Sequence, residues 1–250
     1  MYTINGEPYF KLDSLISDSD AKILDEEISW GLSLVAETYL CDGCELWRGD
    51  AEIELYDHQY KDACIAKSEL DFNEKEKFQT LTFQQRQKYL KIAKKAYLPW
   101  GTCYSLNNIP SWEKKMETTN KEYTEEAKRF FPKLIEWCHS LPIFKGIGRI
   151  EIFGVDACQH VTCHRDNNPS IWKMKDQFVM LSPREDKKFY IYDEVKKQKI
   201  FTQSKLFVFD DIVYHGVDPS PFFTYSVRID GPFNSEYDSK IIYDRFSKNE

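Results

Sequence analysis

Gly146-Ile147-Gly148-Arg149-Ile150-Glu151-Ile152-Phe153 is the stretch at which the chain changes character. Beyond it, short runs rich in Val, Ile, Phe and Tyr alternate with polar residues and are separated by turn signals. Arg149–Phe153 alternates, and so do Lys188–Asp193, Lys205–Asp210 and Tyr225–Asp230. Gln177–Leu181 and Lys199–Thr202 add two further runs. A period of two sends successive side chains to opposite faces of a pleated strand, so each run can bury one face. Several short strands of this kind predict a double-sheet β-sandwich or jelly roll.

Ahead of Gly146 the pattern is helical. Asp18-Ser19-Asp20 offers capping oxygens before Ala21–Leu40, where Ile23, Leu24, Ile28, Leu32 and Val35 approximate a helical stripe. Leu81–Leu98 is lysine-rich on one side, with Lys88, Lys91, Lys94 and Lys95 read as a solvated face, and it stops at Pro99. Thr124–Leu141 is a third segment, with Pro132 inside it as a kink or split point. The expected organisation is α+β: a mainly helical region over 1–145 packed against a C-terminal β-core over 146–235, followed by a tail over 236–250.

Composition bounds the function classes. The 250 residues suffice for one large domain or a core with a helical extension. Hydrophobic residues make up 42% and charged residues 30%, the balance of a globular chain rather than a disordered one. A net charge of -7 argues against nonspecific nucleic-acid binding, which needs a basic surface. There is no apolar run of membrane-spanning length, and Met1–Leu12 does not read as a secretory leader. Seven irregularly spaced cysteines do not form a disulfide framework and read as reduced thiols in a cytoplasmic protein. Cys41 and Cys44 lack a second pair at zinc-site spacing.

The chemistry centres on His164-Arg165-Asp166. In extended backbone, residues two apart share a face, so His164 and Asp166 can aim at one point. Taken alone, they would read as a hydrogen-bonded surface pair. His215, after the run Lys205–Asp210 and the turn-like Asp210-Asp211, is the candidate third ligand. Two neutral imidazoles and one carboxylate leave three adjacent positions of an octahedral metal open, the arrangement that suits non-haem Fe(II). A chelating 2-oxo acid can fill two of them and O2 the third. Arg228 lies one strand beyond His215 and can pair with a carboxylate in bidentate fashion, or form a structural ion pair with Asp230. Ser226, two residues earlier on the same face, can add a hydroxyl contact. His160 is four residues before His164, but the stretch reads as strand and loop, so a helical zinc pair is not expected. His58 and His139 read as ordinary, and Trp172 as a plug or a substrate contact.

His164-x-Asp166, then His215, then Arg228 thirteen residues later resembles the signature of the Fe(II)/2-oxoglutarate-dependent dioxygenases. The resemblance spans 146–233 and implies a double-stranded β-helix, the cupin-like jelly roll of that superfamily. Gly148–Phe153, His164–Asp166, His215-Gly216-Val217 and Val227–Asp230 are most similar to the aspartyl/asparaginyl β-hydroxylase and free-proline hydroxylase branch. The Pro-Gly usual before the first ligand strand is replaced by Asp156-Ala157-Cys158. The resemblance implies a hydroxylase with Fe(II) on His164, Asp166 and His215, 2-oxoglutarate bound by Arg228, Ser226 and Lys175, and O2 as oxidant. Succinate and CO2 would be co-products. It implies a small-molecule or peptide substrate, namely an amino acid or an amino-acid side chain. The helical first half is expected to wall the substrate. Two other readings fit the residues: a non-catalytic β-sandwich binding module, and a cupin-like metalloprotein that does not use 2-oxoglutarate.

Overall fold

The computed structural model describes residues 8–35, 102–108, 114–119, 121–155, 160–166 and 176–237. In chain order these form β1 (Tyr9–Lys11), a 3-10 turn at Asp13–Leu15, α1 (Asp18–Leu34), β2 (Thr102–Ser105), α2 (Glu125–Phe130) and α3 (Pro132–Ser140). Then come β3 (Ile150–Val155), β4 (Val161–His164), β5 (Phe178–Leu181), β6 (Phe189–Asp193), β7 (Gln198–Phe201), β8 (Leu206–Phe209), β9 (His215–Val217) and β10 (Thr224–Asp230). Among the described residues no helix is long and apolar enough to cross a membrane.

All strand pairings are antiparallel. The large sheet runs β1-β8-β5-β10-β3-β2 and the small sheet β4-β9-β6-β7. From β3 onward the chain passes back and forth between the sheets, returning to the small sheet at β4, at the β6–β7 hairpin and at β9. This is a jelly-roll type of sandwich, as the alternating runs predict. The six runs read from sequence lie on β3, β5, β6, β7, β8 and β10, with ends within two residues of those expected.

The large sheet is buried on both faces, and the alternation sorts its side chains. Val179 and Leu181 of β5, Leu206 and Val208 of β8, and Tyr225, Val227 and Ile229 of β10 pack on the helices. Phe178 and Met180, with Phe207 and Phe209, face the small sheet and meet Val161, Phe189, Ile191 and Val217. Burial on both sides explains the unbroken apolar runs Phe178–Leu181 and Leu206–Phe209. Arg228 is paired with Met180 and Glu151, so the polar residues of β10, namely Thr224, Ser226, Arg228 and Asp230, point into the sandwich.

Helix α1 starts earlier than the sequence suggests, because Ser17 is the N-cap. Its Oγ accepts from Asp20 N at 3.1 Å, and the Asp20 carboxylate accepts from Ser17 N at 3.3 Å. Ala21, Leu24, Ile28 and Leu32 form the buried stripe, whereas Ile23, expected in it, is exposed. The third predicted helix is split at Phe131, immediately before Pro132, into α2 and α3. The start of α3 has no cap of its own. Glu27 of α1 supplies one, accepting from Lys133 N at 3.0 Å and Leu134 N at 2.7 Å. The segment 1–145 also contributes β1 and β2, the two edges of the large sheet, which the sequence reading did not anticipate. The expected helix Leu81–Leu98 lies outside the described residues.

Gly148 sets the entry to β3. Its N–H donates to Asp230 O at 2.6 Å, Arg149 N donates to Lys115 O at 2.8 Å, and Asp230 N donates to Arg149 O at 2.8 Å. A Cβ at Gly148 would press on the backbone oxygen of Lys115 and lie 2.7 Å from that of Asp230. Backbone cannot yield as a flexible side chain can, so Gly148→Ala is expected to cost about 1–3 kcal/mol. Thermal unfolding followed by circular dichroism checks this; an unchanged midpoint would show that the β3–β10 entry is not tightly held.

Candidate metal centre

Strands β4 and β9 bring two histidines together at their ends. His164 closes β4, His215 opens β9, and the two are directly paired. Their rings lie 4.5 Å apart. His215 is buried against Phe209, at 4.9 Å between ring centroids, and Phe189, at 5.7 Å. Its Nδ1 is 2.9 Å from Val213 O. A carbonyl only accepts, so Nδ1 carries the proton and Nε2 is left as the lone-pair nitrogen, the tautomer a metal ligand needs.

Asp166 completes the group. Its N–H donates to Asp211 O at 3.0 Å, which anchors the backbone just after β4. Its Oδ1 lies 3.2 Å from His164 Nε2 and 3.5 Å from His215 Nε2. One ligand atom from each of the three residues falls within 4.8 Å of the others. Neighbouring ligands of an octahedral first-row ion, with bonds near 2.1 Å, should stand about 3 Å apart. The two distances from Asp166 Oδ1, 3.2 and 3.5 Å, are near that value, so two imidazoles and one carboxylate could hold a divalent metal here.

The surroundings favour a cation. Asp166 Oδ2 is 3.2 Å from Arg228 Nη1. Arg228 Nε donates to Asp230 Oδ1 at 2.8 Å, and its Nη2 is 3.6 Å from both Asp176 and Asp211. Phe178 underlies the guanidinium at 3.8 Å. Lys115 pairs with Asp176, and Arg149 bridges Glu151 at 2.6 Å and Asp230 at 3.1 Å. Asp166, Asp176, Asp211, Asp230 and Glu151 therefore face Arg228, Arg149 and Lys115. Burial drives the Asp166 carboxyl up, but its contacts with the His164 and His215 rings and the charge of Arg228 outweigh it and hold it well below the usual carboxylate range. Asp211 goes the other way. Burial raises it to about 7 against the pull of Arg228, with Asp176 and Asp166 adding repulsion.

Of the residues singled out from sequence, the structure brings His164, Asp166 and His215 together and sets Arg228 beside them. Ser226 lies two residues along β10 from Arg228 and accepts from Lys187 Nζ at 2.8 Å. Lys187, also on Phe153 O at 3.0 Å, was not foreseen, because Asp186-Lys187-Lys188 reads as an exposed charged turn. His160 precedes β4 and stands outside the triad. His139 ends α3 and its Nε2 is 2.7 Å from Tyr123 Oη, away from the site. Lys175, Trp172, His58, Cys41 and Cys44 lie outside the described residues. Helices α1, α2 and α3 pack on the outer face of the large sheet, opposite to the face bearing Arg228, so these helices do not wall the triad.

No protein-family profile matches the chain, and no curated protein matches it. Among solved structures there is a likeness to the viral collagen prolyl hydroxylase vCPH of Paramecium Bursaria Chlorella virus-1 in its 2OG complex. It covers 90% of this chain and 96% of that one, at 12% identity and a TM-score of 0.36.

The raised Asp211 fixes a pH dependence. A carboxyl whose value is higher in the folded state contributes most to stability below its unfolded value and loses that contribution as pH rises through the folded one. Asp211→Asn is therefore expected to gain stability relative to the parent, in metal-free protein, as pH rises from about 4 to about 8. Urea unfolding at both ends checks it; a pH-independent difference would show that no proton is buried at Asp211.

Proposed function

We propose that the chain is an Fe(II)- and 2-oxoglutarate-dependent dioxygenase that hydroxylates an amino acid or an amino-acid side chain. The observation that carries this reading is the His164–Asp166–His215 cluster in a jelly-roll sandwich, with Asp166 Oδ1 3.2 and 3.5 Å from the two imidazole nitrogens, near the spacing of neighbouring ligands on an octahedral ion. Bound there, Fe(II) supplies the redox chemistry that couples O2 and 2-oxoglutarate to substrate oxidation, with succinate and CO2 as co-products.

The chain's own part is to bind, orient and exclude water. His164 and His215 offer neutral nitrogens, and Asp166 offers one anionic oxygen. Phe178, Phe189, Phe207 and Phe209 make the sandwich interior next to His215 apolar. The distal carboxylate of the oxo acid is assigned to the polar stripe that β10 turns into the sandwich, at Ser226, which Lys187 joins. A carboxylate at Asp166, rather than a small neutral residue, keeps a protein ligand where a halide would otherwise bind. This favours hydroxylation over halogenation.

The test is an anaerobic titration of the metal-free protein with Fe(II) and then 2-oxoglutarate, followed by visible absorption. A weak charge-transfer band that requires both additions is the expected result, and its absence would defeat the dioxygenase reading. Metal binding without any response to the oxo acid would favour the cupin-like metalloprotein. His164→Ala is expected to abolish the band and Fe(II) binding while the circular dichroism of the β-core is kept. Unchanged Fe(II) affinity in that variant would remove His164 from the ligand set.

A further inference from the structure

We infer that Arg228 is a positioning residue for Asp166: it takes Oδ2 and so presents Oδ1 alone to the metal. The inference rests on the metal reading above and goes past it, because it gives Arg228 a part other than holding the co-substrate.

The two oxygens of Asp166 are divided. Oδ1 faces both imidazoles, at 3.2 and 3.5 Å, and Oδ2 faces Arg228 Nη1, at 3.2 Å. A carboxylate free to rotate can chelate a metal through both oxygens and so occupy a second coordination position. A charge-assisted contact to Oδ2 opposes that rotation and keeps the third open position open.

Arg228 can do this because it is itself held on every side. Asp230 takes Nε at 2.8 Å, Asp176 and Asp211 stand 3.6 Å from Nη2, and Phe178 covers one face of the plane. Asp230 is fixed in turn by Arg149, which also grips Glu151. Asp211 serves twice, since its backbone oxygen receives the Asp166 N–H while its carboxylate faces Arg228. Backbone and side chain of Asp166 are thus pinned by one network. A guanidinium ringed by carboxylates in this way is poorly placed to receive another anion. Ser226, with Lys187 beside it, is the better-placed group on the stripe for the distal carboxylate.

The experiment measures Co(II) binding to the full chain, by affinity and by the visible ligand-field spectrum, in the parent and in Arg228→Met. Apo-protein circular dichroism reports folding. The expected outcome is a loss of about 10–100-fold in Co(II) affinity together with a changed ligand-field spectrum, as one carboxylate changes its binding mode. A folded Arg228→Met with parental affinity and spectrum would overturn the inference. So would a loss confined to 2-oxoglutarate affinity at saturating metal, which would return Arg228 to the co-substrate. If Arg228→Met does not fold, Arg228→Lys decides by the same two readouts. Its single ammonium cannot span Asp230 and Asp166 as the fork does, so parental affinity and spectrum in that variant would overturn the inference equally. A parent protein that binds no Co(II) would instead sink the metal reading itself.

Discussion

The contact between Arg228 and Asp166 sits at the centre of a charged network that has no business inside an apolar sandwich unless every member has a partner. Charges taken out of water lose several kcal/mol of hydration each, and the loss is recovered only through close, mutual pairing. Here the pairing is distributed. Arg149 joins Glu151 to Asp230, Asp230 joins Arg149 to Arg228, and Arg228 reaches Asp166. Lys115 neutralises Asp176 from outside the sheet strands. Removing a single partner would leave its neighbour buried without its main compensation. Such a network therefore serves stability less than it serves the fixed placement of one carboxylate.

The register of β10 holds this arrangement in place. Arg228 is opposite Glu151 on β3 and Met180 on β5, and Ser226 is opposite Phe153. A slip of one residue would turn Tyr225, Val227 and Ile229 into the polar interior and Arg228 toward the helices. The slip is opposed from both sides, because those three side chains belong to the core under α1. Tyr225 also donates to Asp25 Oδ1 at 2.6 Å, and Arg184 donates to the same oxygen at 2.5 Å. The apolar face of the strand thus fixes the register, and the polar face inherits its geometry from it.

The sequence carried the strands that alternate and are long enough to show it, such as Thr224–Asp230 and Phe189–Asp193. It did not carry Tyr9–Lys11 or His215–Val217, each three residues long, whose extended state comes from their neighbours in the sheet. The break at Pro132 was legible, since a missing N–H acts locally. The triad was legible because His164 and Asp166 are two apart and His215 follows a clear strand. The surroundings of Arg228 were not. Asp230 is a near neighbour in sequence, but Asp166, Asp176 and Asp211 come from three separate places along the chain. A basic residue on the right strand predicts an anion partner; it does not say whether that partner is a ligand or the protein's own carboxylate.

The division of labour between the sheets follows from these contacts. The small sheet supplies both imidazoles, at the paired ends of β4 and β9. The large sheet supplies the arginine that holds the carboxylate, from the centre of β10. Asp166, just after β4, is tied to both. The proposed metal site is therefore complete only when the sandwich is closed. A separation of the sheets by a few ångström would leave the histidines paired and the arginine caged, and yet would release Asp166 from one of them. Metal affinity in this protein should accordingly report sheet-to-sheet packing, and core substitutions at Phe178, which packs at 5.1 Å on the Phe209 ring that itself backs His215, act on the ligands without touching them.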